Sequence, residues 1–399
     1  MHDIRKKQKI PIVHIITGLS VGGAEMMLYK LLAHMDRNRF EPYVISLTQT
    51  DMIGHDIKAL NIPVYGLNLS ANRFNPLKLI QCVKIVKKIE PVIVQTWLYH
   101  ADLLGSVISK IATRAKIVWN IRHSDFDPSR DKTTTILIAK INAFLSKWIP
   151  DSIICNSSRA VLIHNNIGYD SKKMHVIGNG FDLDQFRPDC DAYRALRSEL
   201  NLSSETLIVG MVGRFHSQKN HYGFVKAIAK VLKIMPNIHF VLCGNEVDEN
   251  NQILTSWIED YDLTPNIHPM GQRFDMNRIT SAFDVAVSAS SVGEGFSNVI
   301  GEAMACAVPC VVTDVGDSAY LVKDTGIVVS PGSMQELSQA IVALLKLKRD
   351  DRKKMGLKAR MRIDTHFSID KIVLQYEKAY LSLINRSSNG QLKKNTHTC

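Results

Sequence analysis

The stretch DVAVSASSVGEGFSNVIGEAMACAVPCVVTDV, residues 284–315, contains the pattern that decides the fold. It begins with small and apolar residues typical of a buried strand, passes through a glycine-rich loop, continues as a helix and ends in a second Val-rich strand. A strand, a helix and a second strand in that order are the unit from which parallel sheets are built. Two acids, Glu294 and Glu302, lie in these apolar surroundings, where burial costs free energy unless something hydrogen-bonds them.

Short apolar runs alternate with amphipathic helices over the whole chain, which predicts parallel sheets with crossover helices. The predicted strands are IPIVHIITGL, PYVISLT, IPVYGLNL, VIVQTWL, KIVWNIRH and SIICNS in the first half, and LIVGMVGRF, HFVLCG, DVAVSAS and PCVVTDV in the second. Their continuous Val/Ile/Leu runs indicate strands that are buried on both faces. We therefore predict an α/β protein with two Rossmann-like domains, whose parallel sheets face each other across a ligand-binding cleft.

The domain boundary is predicted within the polar helical segment FRPDCDAYRALRSELNLSSET, because a new first strand follows it. Residues 1–190 then form the N-terminal domain, and residues 191–368 form the C-terminal domain. Residues 369–385 are predicted to form a helix that returns to the N-terminal domain. The polar tail, residues 386–399, is predicted to be disordered.

Composition and charge describe a globular protein with an uneven surface. The chain has 399 residues, 45% of them hydrophobic and 22% charged. No apolar run approaches the roughly 18 residues of a membrane-spanning helix, and no signal peptide is recognisable, so we expect a cytoplasmic protein. The net charge is +11, and residues 1–190 hold 25 Lys and Arg against 16 Asp and Glu. Two interpretations remain open, an anionic partner or an ordinary solvated surface.

Two loops that follow predicted first strands carry residues suited to binding an anion. TGLSVGGAE, residues 17–25, brings Gly22 and Gly23 to the start of the first helix, where the backbone amides favour an anion; a plain tight turn is an equal alternative. VGRFHSQKN, residues 212–220, holds Arg214 and Lys219, which can converge on one diphosphate.

The loop and helix of residues 288–305 suit a sugar nucleotide. Ser297 or Asn298 can cap the helix, and the free amides then face a ligand; these amides belong to Phe296, Ser297, Asn298 and Val299. Glu294 precedes the helix and Glu302 lies in its second turn. A carboxylate accepts two hydroxyl hydrogen bonds, so one acid can hold the donor sugar and the other the ribose, while the amides hold the phosphates.

Four motifs together resemble the retaining family 4 glycosyltransferases, which have the GT-B fold. Glu294 and Glu302 within EGFSNVIGEAMA resemble that family's E-x7-E signature, and VGRFHSQKN resembles its phosphate-binding loop. GGAE resembles its N-terminal glycine loop, and NGFDLDQF, residues 179–186, its interdomain segment. The resemblance implies retaining transfer from a nucleotide sugar, UDP- or GDP-linked, with no further cofactor and no bound metal. It also implies that the last helix crosses back to the N-terminal domain.

The resemblance also assigns roles to individual residues. Glu294 would touch the donor sugar, Glu302 the ribose, and Arg214 and Lys219 the diphosphate. His123 matches the family's catalytic cleft histidine near the transferred sugar, and His100 matches a second position on the acceptor side. The resemblance thus places the acceptor in the N-terminal domain and the nucleotide sugar in the C-terminal domain. The chain departs from the family after strand PCVVTDV, where residues 316–320 read GDSAY in place of a Gly-Gly pair followed by an acid, so no sugar is assigned.

The expected activity is retaining transfer to a saccharide or lipid-linked acceptor in bacterial surface polysaccharide synthesis, for example of lipopolysaccharide, capsule or exopolysaccharide. Three alternatives remain. A metal-dependent transferase would use Asp125 with Asp127 or Asp182 with Asp184. A sugar-nucleotide epimerase would share the architecture. A non-catalytic nucleic-acid-binding protein would explain the charge, although the basic residues lack interleaved aromatic residues, so we expect no nucleic-acid partner.

The segment TTTILIAKINAFLSKWIP, residues 133–150, combines an apolar stripe with lysines. Leu137, Ile141, Phe144 and Trp148 recur at helical spacing, and Lys132, Lys140 and Lys147 lie around them. One interpretation is a crossover helix whose stripe packs on its own sheet. The other is peripheral contact with the cytoplasmic face of an anionic inner membrane.

Overall fold

A computed structural model describes residues 9–69, 75–125 and 132–395, and divides the chain into two compact units. The first unit comprises the chain up to Gly180 together with the chain from Ile369 onward, and the second is Phe181–Ser368. The units thus meet at 180/181, whereas the predicted boundary is 190/191. Phe181 belongs to the second unit because its side chain is fully buried in that unit's core and its backbone N–H donates to the carbonyl of Phe367 at 2.9 Å.

The first unit contains a parallel sheet of seven strands within the described residues, in the order β3-β2-β1-β4-β5-β6-β7. The strands are β1 (Ile10–Ile16), β2 (Phe40–Ser46), β3 (Val64–Gly66), β4 (Ile93–Trp97), β5 (Lys116–Ile121), β6 (Ser152–Cys155) and β7 (Met174–Val176). The helices between them are α1 (Gly23–His34), α2 (Asp51–Ala59), α3 (Pro76–Ile89), α4 (Tyr99–Ala112), α5 (Thr133–Leu145) and α6 (Ser158–Asn166).

The second unit contains a parallel sheet of six strands, counted over Phe181–Ser368, in the order β10-β9-β8-β11-β12-β13. The strands are β8 (Ile208–Val212), β9 (His239–Cys243), β10 (Ile267–Pro269), β11 (Val285–Ser288), β12 (Cys310–Thr313) and β13 (Ile327–Val329). The helices are α7 (Cys190–Glu199), α8 (His221–Leu232), α9 (Gln252–Asp260), α10 (Met276–Ser281), α11 (Asn298–Ala305), α12 (Ser318–Val322), α13 (Met334–Lys346) and α14 (Arg349–Phe367). The predicted α/β class with two parallel sheets is confirmed.

Strand register determines which loops are neighbours. In the second unit β11 pairs with β8 through Val287 and Met211, so the loops that follow these two strands leave the sheet side by side. In the first unit β4 pairs with β1 through Trp97 and Ile16, and with β5 through Trp97 and Asn120. The carboxyl ends of parallel strands are where ligands bind in such sheets, so each unit presents one such edge.

The last helix, α15 (Ile369–Asn395), packs within the first unit. Its apolar side chains join the core that includes α1, and two buried tyrosines reach polar groups of the sheet. The Asn120 side-chain amide donates to the Tyr376 hydroxyl at 3.1 Å, and the Tyr380 hydroxyl donates to the Gln95 side-chain oxygen. These hydrogen bonds satisfy polar groups that would otherwise be buried at a cost.

The predicted disorder of residues 386–399 is wrong for residues 386–395, which continue α15. Helix propagation adds one hydrogen bond for each residue that is fixed, and no proline interrupts this segment, so the packed half of the helix can extend outward. Residues 396–399 lie outside the described part of the chain. None of the described helices is both long and apolar enough to cross a membrane.

Three buried histidines predict that stability falls in mild acid. Burial lowers the pKa of His14 to about 3, and those of His164 and His221 to about 4. Above the unfolded value of about 6.5 each is neutral in both states, so stability is full there. As the pH falls below that value the unfolded chain binds protons that the folded chain does not, at a cost of at most about 1.4 kcal/mol per histidine for each pH unit.

Melting temperatures at pH 7.5, 6.5 and 5.5 test this expectation. The melting temperature should stay level down to the unfolded pKa and then drop. His164→Gln should flatten the dependence of the melting temperature on pH, because glutamine does not titrate. The glutamine oxygen can still accept the Tyr99 hydroxyl hydrogen bond, which is 2.7 Å long in the structure. His55→Gln, at an exposed position, is the matched control. An unchanged melting temperature down to pH 5.5 would contradict the assignment of neutral buried histidines.

Candidate functional site

Glu294 is held by two side chains of the second unit. The Lys219 ammonium contacts the Glu294 carboxylate, and the Ser290 hydroxyl donates to the same oxygen at 2.8 Å. The Glu294 side chain retains only 13% of its exposure. The desolvation cost expected from the sequence is therefore offset by a cation and a hydroxyl.

Two glycines allow the loop around Glu294 to approach its neighbours closely. Gly293 has φ +77°, and a Cβ there would lie 2.3 Å from the Gln218 side-chain nitrogen. Gly316 has φ +63°, and a Cβ there would lie 2.0 Å from the Glu294 carbonyl oxygen. The Ser291 N–H donates to the Gln218 carbonyl at 2.9 Å, which fixes the Glu294 loop against the loop that follows β8. A side chain at Gly316 would clash with the Glu294 backbone, whereas at Gly293 the Gln218 amide could move aside and the positive φ would carry the cost.

The two cations of the loop after β8, Arg214 and Lys219, lie in different surroundings. The Gly213 N–H donates to the Cys243 carbonyl at 2.8 Å, and the Phe215 N–H donates to the Asn245 carbonyl at 2.8 Å, so the backbone on both sides of Arg214 is fixed. The Arg214 side chain is exposed and forms no ion pair with the described residues. Lys219 instead contacts Glu294, an ion pair that the sequence did not predict. The structure brings Lys219 and Glu294 together and leaves the Arg214 guanidinium at the surface.

The start of α11 differs in detail from the prediction. Ser297 is the N-cap residue, but its hydroxyl makes no capping hydrogen bond. The Phe296 ring is buried, stacked on Phe181 at 6.1 Å and tilted against Phe367 at 5.4 Å. The Phe296 ring is therefore not available to a ligand. Asn298, Val299 and Glu302 are half-buried on this helix.

Gly22 and Gly23 lie at the start of α1 in the first unit, with Gly22 as the N-cap in extended conformation. A Cβ on Gly22 would lie 2.4 Å from a carboxylate oxygen of Glu25, so the glycine leaves room for this acid beside the helix N-terminus. Burial raises the pKa of Glu25, while hydrogen bonds from the Glu25 and Ala24 backbone and the charge of Arg122 oppose the rise. The sequence analysis assigned no role to Glu25, which lies in the first turn of α1 beside Gly22 and Gly23.

Arg122 is a second residue that the sequence analysis missed. Its guanidinium donates to the Asn179 side-chain oxygen and to the Tyr376 hydroxyl at 3.5 Å, and lies 5.8 Å from the Trp97 ring centroid. Burial lowers its pKa. Its partners come from distant parts of the chain, and only its place at the end of a strand, beside His123, could have indicated it.

His123 and His100 lie at the carboxyl edge of the first unit's sheet. His123 follows β5 and packs edge-on against the Tyr99 ring at 6.0 Å. His100 is the second residue of α4, half-buried, and its pKa is lowered by burial and by Lys132. Leu98, which precedes Tyr99 and His100, has φ +73° and ψ 155°, a conformation that non-glycine residues adopt at a cost. Such strain often accompanies functional sites, and it holds Tyr99 and His100 at the sheet edge.

Of the two acidic pairs considered for a metal, one lies in a turn and the other includes a residue outside the described part of the chain. The Asp182 carboxylate accepts hydrogen bonds from the backbone N–H groups of Asp184 and Gln185 at 2.9 and 3.0 Å, a pattern typical of a turn. Asp127 lies outside the described residues. Within the described ranges, no cluster of three or more His, Cys, Asp or Glu side chains could hold a metal ion.

Two protein families match this chain, each over a different half. Residues 21–185 match the family described as Glycosyltransferase Family 4, and residues 206–347 match Glycosyl transferases group 1. The chain is 24% identical to the Escherichia coli UDP-Gal:alpha-D-GlcNAc-diphosphoundecaprenol alpha-1,3-galactosyltransferase, over 94% of this chain and 98% of that protein. It is 23% identical to the Staphylococcus aureus capsular polysaccharide biosynthesis glycosyltransferase CapM, over 96% and 99%.

A solved structure shows the same fold. Anabaena Alr3699/HepE in complex with UDP and glucose superposes with a TM-score of 0.81, covering 94% of this chain and 100% of that chain at 22% identity. A further structure of that protein contains UDP-glucose, with a TM-score of 0.79.

Proposed function

Because this chain belongs to the family 4 glycosyltransferases of the GT-B fold, we propose that it transfers a sugar from a nucleoside diphosphate, with retention of anomeric configuration and without a metal ion. The observation that carries the proposal is the contact of Lys219 with Glu294 at the carboxyl edge of the second unit's sheet. A cation and an acid in one place match the two halves of a nucleotide sugar, its diphosphate and its hydroxyl-rich ring.

We assign the donor to the second unit. Its diphosphate would draw Lys219 away from Glu294 and would add Arg214, whose guanidinium is free of ion pairs with the described residues. The amides at the start of α11, from Phe296 to Val299, would donate to the same phosphates. Glu294 would then accept hydrogen bonds from the sugar, and Glu302 from the ribose diol. UDP is the favoured nucleotide, since UDP and UDP-glucose occupy the structural neighbour.

The remaining predicted site residues lie in the first unit, and we assign them roles in the same reaction. Gly22 and Gly23 would let the α1 backbone approach the donor, His123 would contact the transferred sugar, and His100 would lie toward the acceptor. In the chemical step the bond from the sugar C1 to the phosphate oxygen breaks, and the acceptor oxygen attacks on the same face. The acceptor proton passes to the departing phosphate oxygen. Lys219 and Arg214 stabilise the charge that grows there.

The acceptor is proposed to be a lipid-linked saccharide in bacterial surface polysaccharide synthesis, at the cytoplasmic face of the membrane. The support is that one relative is named for a diphosphoundecaprenol-linked acceptor and another for capsular polysaccharide biosynthesis. An exposed cationic and apolar surface on the first unit, described below, also fits such an acceptor.

Proton NMR of the product tests the reaction directly. With α-linked UDP-sugars as a donor panel and a lipid-linked saccharide acceptor, we expect an α-glycoside, unchanged in yield by excess EDTA. A β-glycoside would overturn retention, and a loss of activity in EDTA that manganese restores would overturn metal independence. Release of free UDP with an epimerised sugar, in the absence of any acceptor, would favour the epimerase instead.

A further inference from the structure

The outer surface of α3, α4 and α5 exposes large apolar side chains. These helices are neighbours in the first unit, since α3 packs on α4 and α4 on α5. The most exposed apolar side chains of this surface, here called the three-helix face, include Ile80, Val107, Ile111, Leu137, Phe144 and the adjoining Trp148. Ile111, Phe144 and Trp148 each retain 62% of their exposure, which is unusual for side chains of this size in a water-facing surface.

The interpretation that the α5 stripe packs on its own sheet is wrong. Ala139, Asn142 and Ala143 are the buried residues of α5, because small side chains let the helix lie close to its neighbours. The stripe that contains Leu137 and Phe144 faces outward instead. Phe144 and Trp148 pack edge to face at 4.8 Å, so the two aromatic rings form one exposed apolar unit.

An aliphatic groove of about 240 Å³ lies between α3 and α4. It is lined entirely by leucine, isoleucine and valine, among them Val83, Leu104 and Ile111. An extended peptide in such a groove would find no side chain to hydrogen-bond its backbone N–H and C=O groups, which is costly. A hydrocarbon chain has no polar groups to satisfy, so the groove fits an acyl chain better than an extended protein segment.

The charges of the same helices have one sign. The exposed cations are Lys84, Lys87, Lys88, Lys110 and Lys140. The only acid in the three helices is Asp102, which is fully buried. None of these lysines has an ion-pair partner among the residues that the structure describes. Unpaired cations beside exposed apolar side chains are complementary to anionic headgroups above hydrocarbon.

We propose that the three-helix face docks this protein on an anionic bilayer, with a lipid chain seated in the α3–α4 groove. The inference deepens the proposed function and rests on it in one respect, that the acceptor is lipid-linked. His100 is in the first turn of α4, about 10 Å along the helix axis from Val107, at 1.5 Å per residue. Docking by this face therefore places the acceptor end of the sheet close to the headgroups.

Co-sedimentation of the full-length protein with vesicles tests the docking. Vesicles of phosphatidylglycerol and phosphatidylethanolamine should bind the protein, and pure phosphatidylcholine vesicles should bind it more weakly. Lys87→Glu/Lys110→Glu should weaken partitioning about tenfold or more, since each lysine contributes roughly 1 kcal/mol. Ile111→Ser/Phe144→Ser should weaken it as strongly even at high salt, because it removes the apolar contact.

Matched controls come from the second unit. Ile253→Ser replaces a side chain that is 56% exposed, and Lys233→Glu reverses an exposed charge, so both should leave partitioning unchanged. Brominated lipids should quench the exposed Trp148, and Trp148→Phe should remove most of that quenching, because Trp97 and Trp119 are fully buried and Trp257 lies half-buried in the second unit. Equal quenching in Trp148→Phe would overturn insertion by this face.

UDP binding, measured by thermal shift without vesicles, separates this proposal from the proposed function. Loss of vesicle binding with an intact UDP shift in the Ile111→Ser/Phe144→Ser variant supports docking by the three-helix face. Failure of the wild-type protein to bind anionic vesicles, with an intact UDP shift, overturns docking and leaves sugar transfer standing. Vesicle binding that the apolar variant does not weaken also overturns the proposal. Anionic phospholipid vesicles without any lipid-linked saccharide should suffice for binding, and binding that requires lipid-linked saccharide would overturn the seating of a phospholipid chain in the groove.

Discussion

Lys219→Ala is expected to lower kcat/KM by about 10²–10³-fold, the loss typical of removing one preorganised donor to a developing negative charge. Lys219 is the cation that contacts Glu294 and that we assign to the leaving diphosphate. Arg214→Ala should cost less, because its guanidinium is exposed and must be ordered by the donor. Steady-state kinetics with the donor identified in the panel would measure both losses, with Lys233→Ala, at an exposed position on the same unit, as the control.

A double variant distinguishes catalysis from charge neutralisation. If Lys219 served only to neutralise Glu294, Lys219→Ala/Glu294→Gln would be no less active than Glu294→Gln alone. If Lys219 binds the diphosphate, the double variant should be less active than either single variant. Wild-type turnover in Arg214→Ala/Lys219→Ala, with an unchanged melting temperature, would refute the phosphate role of both residues.

The order of the elements was predictable because buried parallel strands have a strong local signature. The runs that became β1, β4 and β8 are long, apolar and bounded by turns, which leaves little ambiguity about their type. The strands β7, β10 and β13 were not predicted. Each has three residues and lies at or near a sheet edge, too short for a pattern to exceed that of an ordinary loop.

The candidate site was predictable only as a set of loops. The glycines at 293 and 316 mark places where backbone approaches closely, but the sequence does not say which segment approaches. The Lys219 contact with Glu294 joins residues 75 positions apart, and the register of β8 with β11 creates it. Leu98 illustrates a different limit, since its glycine-like backbone conformation is imposed by tertiary packing and contradicts local preference.

Charged residues at the boundary helix were also misleading. The segment that includes α7 is polar, which favoured a linker between domains. Its Arg197 is nevertheless 1% exposed and donates to Asp284 at 2.6 Å, and Arg352 donates to the same carboxylate at 3.3 Å. This network fastens α7 and α14 to the second unit's sheet. In a sequence, the charged residues of a buried ion network look like surface residues, because composition alone cannot show which charges are paired.

Glu294→Gln is expected to lower kcat by about 10²-fold, whereas Glu302→Gln should mainly raise the donor KM by about 10-fold, in the range of hydrogen bonds to charged groups. Glu294 lies in the loop that follows β11, beside Lys219 and Ser290, where a sugar hydroxyl can replace the lysine. Glu302 is half-buried in the second turn of α11, and we assign it to the ribose, a part of the donor that does not react. Glu249→Gln, at an exposed position, controls for the charge change.

The two effects separate because only one of the carboxylates changes its interaction as the sugar leaves. A hydrogen bond that strengthens in the transition state appears in kcat, and one that is equal in both states appears in KM. Single-turnover rates with saturating donor would isolate the chemical step, and UDP affinity would report the Glu302 contact without any sugar present. Glu302→Gln should weaken UDP binding and Glu294→Gln should not, since UDP carries a ribose but no transferring sugar. Losses of equal size confined to donor affinity in both variants would overturn the assignment of Glu294 to the sugar.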